Sequence, residues 1–155
     1  QLYDVLDVVG RRFQEVFSQL FGGGTAQIVL TDPDNILTGG IDFYIQPPGK
    51  KRQQLTLLSG GERALTVIAL LFSFLDYRPA PFCVLDEVDA ALDEANVERF
   101  SSYLNRVNKE TQFIVVSHRK KTMEAAEVLQ GVTMVERGVS RLLTVAFEDV
   151  KEDLA

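Results

Sequence analysis

Tryptophan is absent from the 155 residues, and histidine and cysteine occur once each. With one cysteine no intrachain disulfide can form. Cys83 lies inside the apolar run 82–85, where a thiol serves as a small core hydrophobe rather than as a nucleophile. A reducing, cytoplasmic setting is expected. Positive charge is scarce too: 16 Lys and Arg stand against 22 Asp and Glu, a formal net charge of −6 at pH 7 with an isoelectric point near 4.8. That balance excludes a broad basic face, and with it a chain that binds nucleic acid by its own electrostatics, leaving only local basic runs as partner sites. Long apolar runs are also missing. The longest, residues 64–75, is interrupted by Thr66 and Ser73 and falls short of a spanning helix. No signal-peptide pattern opens the chain, so a soluble protein with no membrane partner is expected. There is no internal repeat and no low-complexity segment. A hydrophobic content of 46% supports one globular domain with a real core, and the length argues against two. The chain starts at Gln1 rather than Met, already inside a helical pattern, which suggests a piece of something longer.

What is there is organised around residues 58–118. Three pieces of polar chemistry stand in an otherwise apolar background: Leu58-Ser59-Gly60-Gly61-Glu62, then Asp86-Glu87 with Asp89 and Asp93 behind them, then Ser117-His118. Each falls where a helix or strand is expected to begin or end, which is where open α/β sheets place their ligand chemistry. The recurrence argues for one shared site.

Upstream, Leu2, Leu6, Val9, Phe13, Val16 and Leu20 keep alternating steps of four and three. They predict a helix with an a/d seam, either one strand of a coiled coil or an ordinary amphipathic surface helix. Gly22-Gly23-Gly24 stops it. Strands follow at 25–31 and 41–46, the second alternating Ile41, Phe43 and Ile45 with Asp42, Tyr44 and Gln46 as in a half-buried antiparallel pair. Asp32-Pro33-Asp34-Asn35 is the turn between them. Pro47-Pro48-Gly49 breaks the second strand, Lys50-Lys51-Arg52 is a basic loop that is either solvated or a partner site, and residues 55–58 read as a short strand. Residues 61–75 are apolar round the whole circumference, which predicts a buried helix. The runs 82–85 and 113–116 predict strands buried on both faces and therefore parallel. Between them Val97, Phe100, Leu104 and Val107 mark one face of a helix, completing a β-α-β unit. A helix at 122–129, strands at 132–136 and 141–147 joined through Arg137-Gly138, and an acidic tail from Glu148 close the chain.

Each polar piece has a structural and a chemical reading. Ser59 and Glu62 have the S-x-x-E spacing of a capping box, while Gly60 and Gly61 bare backbone N–H groups at a positive helix terminus, a surface shaped for phosphate. Asp86-Glu87 closes an apolar strand, where Asp86 could hold a hydrated Mg²⁺ and Glu87 could polarise a water, or where both are solvated residues opening a loop. His118 follows the neighbouring strand and should lie near that pair, either donating to a phosphate oxygen or only capping the strand end.

In order, Leu58-Ser59-Gly60-Gly61-Glu62, the apolar strand with Asp86-Glu87, Ala91-Leu92-Asp93 and a strand ending in His118 resemble the signature motif, Walker B motif, D-loop and H-loop of ABC-type ATPases. More narrowly, Gly22-Gly23-Gly24, Leu30-Thr31-Asp32-Pro33, Pro47-Pro48-Gly49-Lys50-Lys51, the stretch from Leu58 through Thr66, the stretch from Asp86 through Asp93 and His118-Arg119-Lys120-Lys121-Thr122-Met123-Glu124 resemble the C-terminal head lobe of bacterial SMC (structural maintenance of chromosomes) proteins. The resemblance covers almost the whole chain. It implies an α/β fold with a mainly parallel central sheet flanked by helices. Residues 1–21 would be the end of a coiled-coil arm, 22–150 the C-terminal lobe of the ATPase head, and 151–155 a tail. It also implies an ATP hydrolase in which two heads sandwich two ATP molecules to drive chromosome condensation and segregation. In that arrangement Glu87 is the catalytic residue and Asp86 holds Mg²⁺ through water. His118 senses the γ-phosphate in cis, Ser59, Gly60 and Gly61 act in trans on the ATP of the opposite head, and Asp93 sits at the dimer seam. The implied cofactors are ATP and Mg²⁺. The implied partners are the N-terminal lobe of the same protein, a second head, a kleisin subunit through its winged-helix domain, and DNA through the whole complex. The implied setting is the bacterial cytoplasm at the nucleoid. One departure from the full head matters: no G-x-x-x-x-G-K-[ST] occurs, so the phosphate-cradling loop belongs to the other lobe and this chain alone is expected to be inactive. The alternatives are a nucleotide-binding domain of an ABC transporter or DNA-repair ATPase, and, from another class, a module that mainly docks a kleisin.

Overall fold

The structure, a computed structural model, describes residues 2–35, 38–107 and 110–146. Helix α1 (Leu2–Phe21) forms where the seam predicts it. From Val9 onward that seam is spent on the chain itself: Val9, Phe13, Val16, Phe17, Leu20 and Phe21 are all buried. The Phe17 and Phe21 rings stack at 4.1 Å, and Phe13 meets Phe43 edge-on at 6.2 Å. The helix stops at Gly22, whose φ of +71° lets the Gly23 amide donate to the Ser18 carbonyl at 2.8 Å, a Schellman closure. The Gln14 side chain then ties the helix to the next strand, donating to the Gly24 carbonyl at 3.1 Å and accepting from the Ala26 amide at 2.8 Å. Gly24 admits no side chain, because at φ +84° a Cβ would stand 2.3 Å from the Gln46 carbonyl oxygen.

Strands β1 (Thr25–Leu30), β2 (Ile41–Gln46) and β3 (Gln53–Gln54) form an antiparallel sheet in that order. The strand expected at 55–58 is instead β3 followed by a 3₁₀ turn at Leu55–Leu57. The chain leaves the sheet there because Leu55 and Leu58 turn down onto the core, with the Leu58 amide closing on the Leu55 carbonyl at 3.3 Å. Helix α2 (Gly60–Tyr77) follows. Its buried Thr66 and Ser73 do not break it, since each hydroxyl donates back to a carbonyl of the same helix, Glu62 at 2.7 Å and Leu70 at 2.6 Å. The expectation of burial all round is corrected: Leu65, Ile68, Ala69 and Phe72 face the core, but Val67, Phe74 and Tyr77 form an outward stripe, 42–52% exposed.

The β-α-β unit is present as β4 (Phe82–Asp86), α3 (Glu94–Leu104) and β5 (Gln112–Val116), with β4 and β5 parallel and Asp86 opposite Val116. Phe72 joins it to α2, its ring 4.9 Å from Tyr103 and 5.7 Å from Phe113. Burial on both faces is corrected here too. Cys83, Leu85, Phe113 and Val115 pack on the core, whereas Phe82, Val84, Ile114 and Val116 on the other face stay 46–58% exposed, because this chain supplies helices to one side of the pair only. Helix α4 (Lys120–Glu124) is shorter than expected, since Val128 already pairs with Ala146 in the hairpin of β6 (Val128–Glu136) and β7 (Val139–Ala146). The fold is α/β as the sequence implies. The sheet detail differs: among the described residues only β4 and β5 are parallel, and the other two sheets are antiparallel. The acidic tail from Glu148, including residues 151–155, lies outside the described residues.

Candidate functional site

Two parallel neighbours deliver their chemistry to the same end of the sheet. Asp86 closes β4, Glu87 follows it, and His118 comes just after Val116, the partner of Asp86 on β5. The expectation that His118 lies beside Asp86-Glu87 therefore holds at the level of strand register. All three side chains are exposed. Glu87 has φ +48°, a left-handed conformation that costs a residue with a side chain about 1–3 kcal/mol and persists only where the surroundings impose it. They do so through the Glu87 amide, which donates to the Val116 carbonyl at 2.9 Å, and the Glu87 carbonyl, which accepts from the Ala90 amide at 3.0 Å. The left-handed turn at Glu87 ends the extended path of β4 directly after Asp86.

Beneath these exposed groups lies a buried one. Asp89 is 0% exposed, and its Oδ2 accepts from the Ser117 hydroxyl at 2.6 Å and from the Thr122 hydroxyl at 2.5 Å. Ser117 Oγ also accepts the Arg119 amide at 2.9 Å, and the Arg119 guanidinium donates to the Leu92 carbonyl at 2.7 Å and stands 3.5 Å from Glu94. Asp93 caps α3, accepting the Asn96 amide at 2.8 Å.

The capping box at the head of α2 is fully formed. Ser59 Oγ accepts from the Glu62 amide at 3.4 Å, while the Ser59 hydroxyl and amide both donate to Glu62 Oε2, at 2.9 and 3.4 Å. The other Glu62 oxygen takes Lys50 at 2.8 Å. Burial raises the Glu62 pKa, but the bonds from Lys50 and Ser59 outweigh it and leave the carboxyl below its usual value. Gly61 lies against the loop before α3, where a Cβ would meet the Ala91 carbonyl oxygen at 3.3 Å and the Asp93 amide at 3.9 Å. Gly60 faces open space. Among the described residues no hydrogen bond or ion pair joins Ser59 to Asp86, Glu87 or His118. Two of the three polar pieces thus meet at the strand ends, and the third reaches them only through the loop carrying Asp93.

Thr122 and Arg119 escape a reading of the sequence as supports of the site, Lys50 registers there only as part of a basic loop, and Asp89 only as one of the acids behind Asp86-Glu87. Basic and acidic residues in these positions look like solvated loops until the fold shows what they bind. Cys83 takes no part, and burial pushes its thiol pKa up. Among the described residues no group of three or more His, Cys, Asp or Glu could hold a metal ion. Mg²⁺ keeps most of its waters and takes one or two carboxylates with phosphate oxygens, so Asp86 fits as a single ligand and not as part of an all-protein cage. No helix among the described residues is long and apolar enough to cross a membrane.

The profile of the family described as the RecF/RecN/SMC N terminal domain matches residues 28–141. The chain belongs to the SMC family. It is 60% identical over 149 residues to the chromosome partition protein Smc of Bacillus subtilis, covering 96% of this chain and 13% of that protein. The chain thus spans about an eighth of the length of the curated relatives it matches. A solved structure described as concerning ATP-driven dimerization and DNA-stimulated activation of SMC ATPases superposes with a TM-score of 0.87 at 35% identity, over 99% of this chain and 92% of that one. An Smc head domain from Pyrococcus furiosus, with an extended coiled coil and bound to the C-terminal domain of ScpA, matches with a TM-score of 0.87 at 36% identity, over 98% of this chain and 38% of that one. This chain is therefore a lobe of an SMC head.

Proposed function

We propose that the chain is the C-terminal lobe of an SMC ATPase head, which with an N-terminal lobe binds ATP and hydrolyses it between two engaged heads to drive chromosome condensation and segregation. The observation that carries this reading is the strand-end cluster, in which parallel pairing sets Asp86-Glu87 beside the segment ending in His118 and strain singles out Glu87. Glu87 accepts a proton from the attacking water. His118 donates to the γ-phosphate. Asp86 orients water around a bound Mg²⁺, which when present neutralises charge on the phosphate oxygens. Ser59, Gly60 and Gly61 offer a hydroxyl and bare amides at a helix terminus to the nucleotide of the opposite head, and Asp93 lies at that seam.

The open apolar face of β4 and β5 supports a second lobe that covers it and brings the missing phosphate-binding loop. The tight packing of α1 on this lobe supports its being the root of a coiled-coil arm. The ScpA-bound relative supports a kleisin as partner through its winged-helix domain, and DNA is engaged by the whole complex at the bacterial nucleoid. Turnover per head in the complete two-lobed protein should rise with head concentration, whereas this chain alone should neither bind ATP tightly nor hydrolyse it. A rate per head that is independent of concentration overturns the reading.

A further inference from the structure

We propose that Asp89 is a positioning residue that, through Ser117, Thr122 and Arg119, holds the Glu87 carboxylate, the His118 imidazole and the Asp93 loop in one fixed arrangement. The inference rests on the ATPase reading above. Its ground is where the clamp is attached. Asp89 stands two residues after Glu87, Ser117 directly before His118, and Leu92, whose carbonyl takes Arg119, directly before Asp93. Each bond crosses a long stretch of sequence: 28 residues from Asp89 to Ser117, 33 to Thr122, and 27 from Leu92 to Arg119. Among the described residues the Glu87 and His118 side chains make no such cross-links; only the Glu87 backbone does, its amide donating to the Val116 carbonyl at 2.9 Å, and Glu87 is held in a conformation it would not choose alone.

The chemistry of the clamp also argues against stability as its purpose. A fully buried carboxylate is costly unless well compensated, and apolar packing of the same volume is often the more stable choice. Here two neutral hydroxyls share one oxygen, while Asp89 Oδ1 and the Arg119 Nε, both buried, have no hydrogen-bond partner among the described residues. An incompletely satisfied polar group at this position fixes geometry at the expense of stability. Ser117 is the joint, since its one oxygen both donates to Asp89 and accepts from Arg119.

The test uses the complete two-lobed head with Asp89→Asn, Ser117→Ala, Ser117→Thr and, as reference, Glu87→Gln. Misplacing a reacting group by about 1 Å costs on the order of 10²-fold. Asp89→Asn and Ser117→Ala should therefore lower kcat roughly 10–100-fold, with KM for ATP within about twofold of wild type. Ser117→Thr keeps the hydroxyl and should recover most of kcat, and the double variant Asp89→Asn, Ser117→Ala should be little worse than either single one. If Asp89→Asn does not fold, the Ser117→Ala and Ser117→Thr pair decides by the same kcat criterion. Variants that melt lower but keep wild-type kcat per folded head make Asp89 a structural anchor only and overturn the proposal. Should Glu87→Gln also hydrolyse at the wild-type rate, the ATPase reading itself fails, and the two failures are told apart.

Discussion

Removing the Ser59 hydroxyl separates a helix cap from a group that also reaches a phosphate on another head. Within one head the loss is countable. The hydroxyl accepts from the Glu62 amide at 3.4 Å and donates to Glu62 Oε2 at 2.9 Å, while Lys50 continues to hold the other carboxylate oxygen at 2.8 Å. Ser59→Ala costs about 1 kcal/mol as a lost cap and about 0.5–1 kcal/mol for the second, exposed bond. A head of ordinary stability then melts lower by roughly 2–8 °C and stays folded. Ser59→Gly removes the same hydroxyl and the same second bond at a cap cost of only a few tenths of a kcal/mol, so it melts between Ser59→Ala and wild type. Aspartate, a good cap elsewhere, does not suit this site, because it would set a second carboxylate against Glu62. Between two engaged heads the loss is larger. A charge-assisted hydrogen bond worth about 1.5–3 kcal/mol disappears at each of two seams, which raises the Kd of the ATP-bound dimer about 10²- to 10⁴-fold. Sedimentation of the two variants with ATP in a Glu87→Gln background measures that Kd directly. Dimerisation within twofold of the Glu87→Gln parent for both would refute the trans assignment and leave Ser59 as a cap.

Further consequences follow for Glu87, for two glycines and for acid stability. Glu87→Gln should bind ATP and slow hydrolysis by about 10²–10⁴-fold. Glu87→Gly should be as inactive yet more stable by about 1 kcal/mol in thermal melts, because it relieves the φ of +48°; a lower melting point would contradict the strain account. Gly24→Ala should destabilise by about 2–6 kcal/mol, the sum of backbone strain and the 2.3 Å clash, whereas Gly10→Ala, in open space within α1, should gain about 0.5–1 kcal/mol. Glu62 has a folded pKa below its ordinary 4.5, so its contribution is present above that value and is lost as pH falls through the lowered one. Lys50→Met removes one of the partners that lower it, so thermal melts should show lower stability at neutral pH, little change at low pH, and a smaller loss on acidification.

Elements with internal periodicity were legible: the helix α1, the antiparallel strand β2 and the β-α-β unit all formed where the residues predict them, although Ile41 of β2 stays exposed. Misreadings arose where a pattern depends on something this chain does not contain. The runs 82–85 and 113–116 read as doubly buried because their outward residues are as apolar as their inward ones, yet only one face is covered here. Val128 looked like the last turn of a helix because nothing local reveals its pairing with Ala146 across a hairpin. At the site, the motif residues were visible and their supports were not. Asp89 reads as one more acid in an acidic loop, and Lys50 as one more base in a basic one. Their roles come from tertiary bonds to Ser117, Thr122 and Glu62 that no local pattern encodes. The left-handed Glu87 is equally silent, since a residue with a side chain gives no local sign of positive φ.

The central claim is that each ATP is hydrolysed by Glu87 of one head together with Ser59, Gly60 and Gly61 of the other. Mixing two inactive heads tests it most directly. In a dimer of a Ser59→Gly head with a Glu87→Gln head, one of the two sites combines an intact Glu87 with an intact Ser59, and the other combines both defects. Turnover should therefore return on mixing, to somewhere between about a tenth and a quarter of wild type, with a maximum near equal proportions. If the two variants stay inactive at every mixing ratio while still associating, Ser59 and Glu87 serve the same head's nucleotide and the account is wrong.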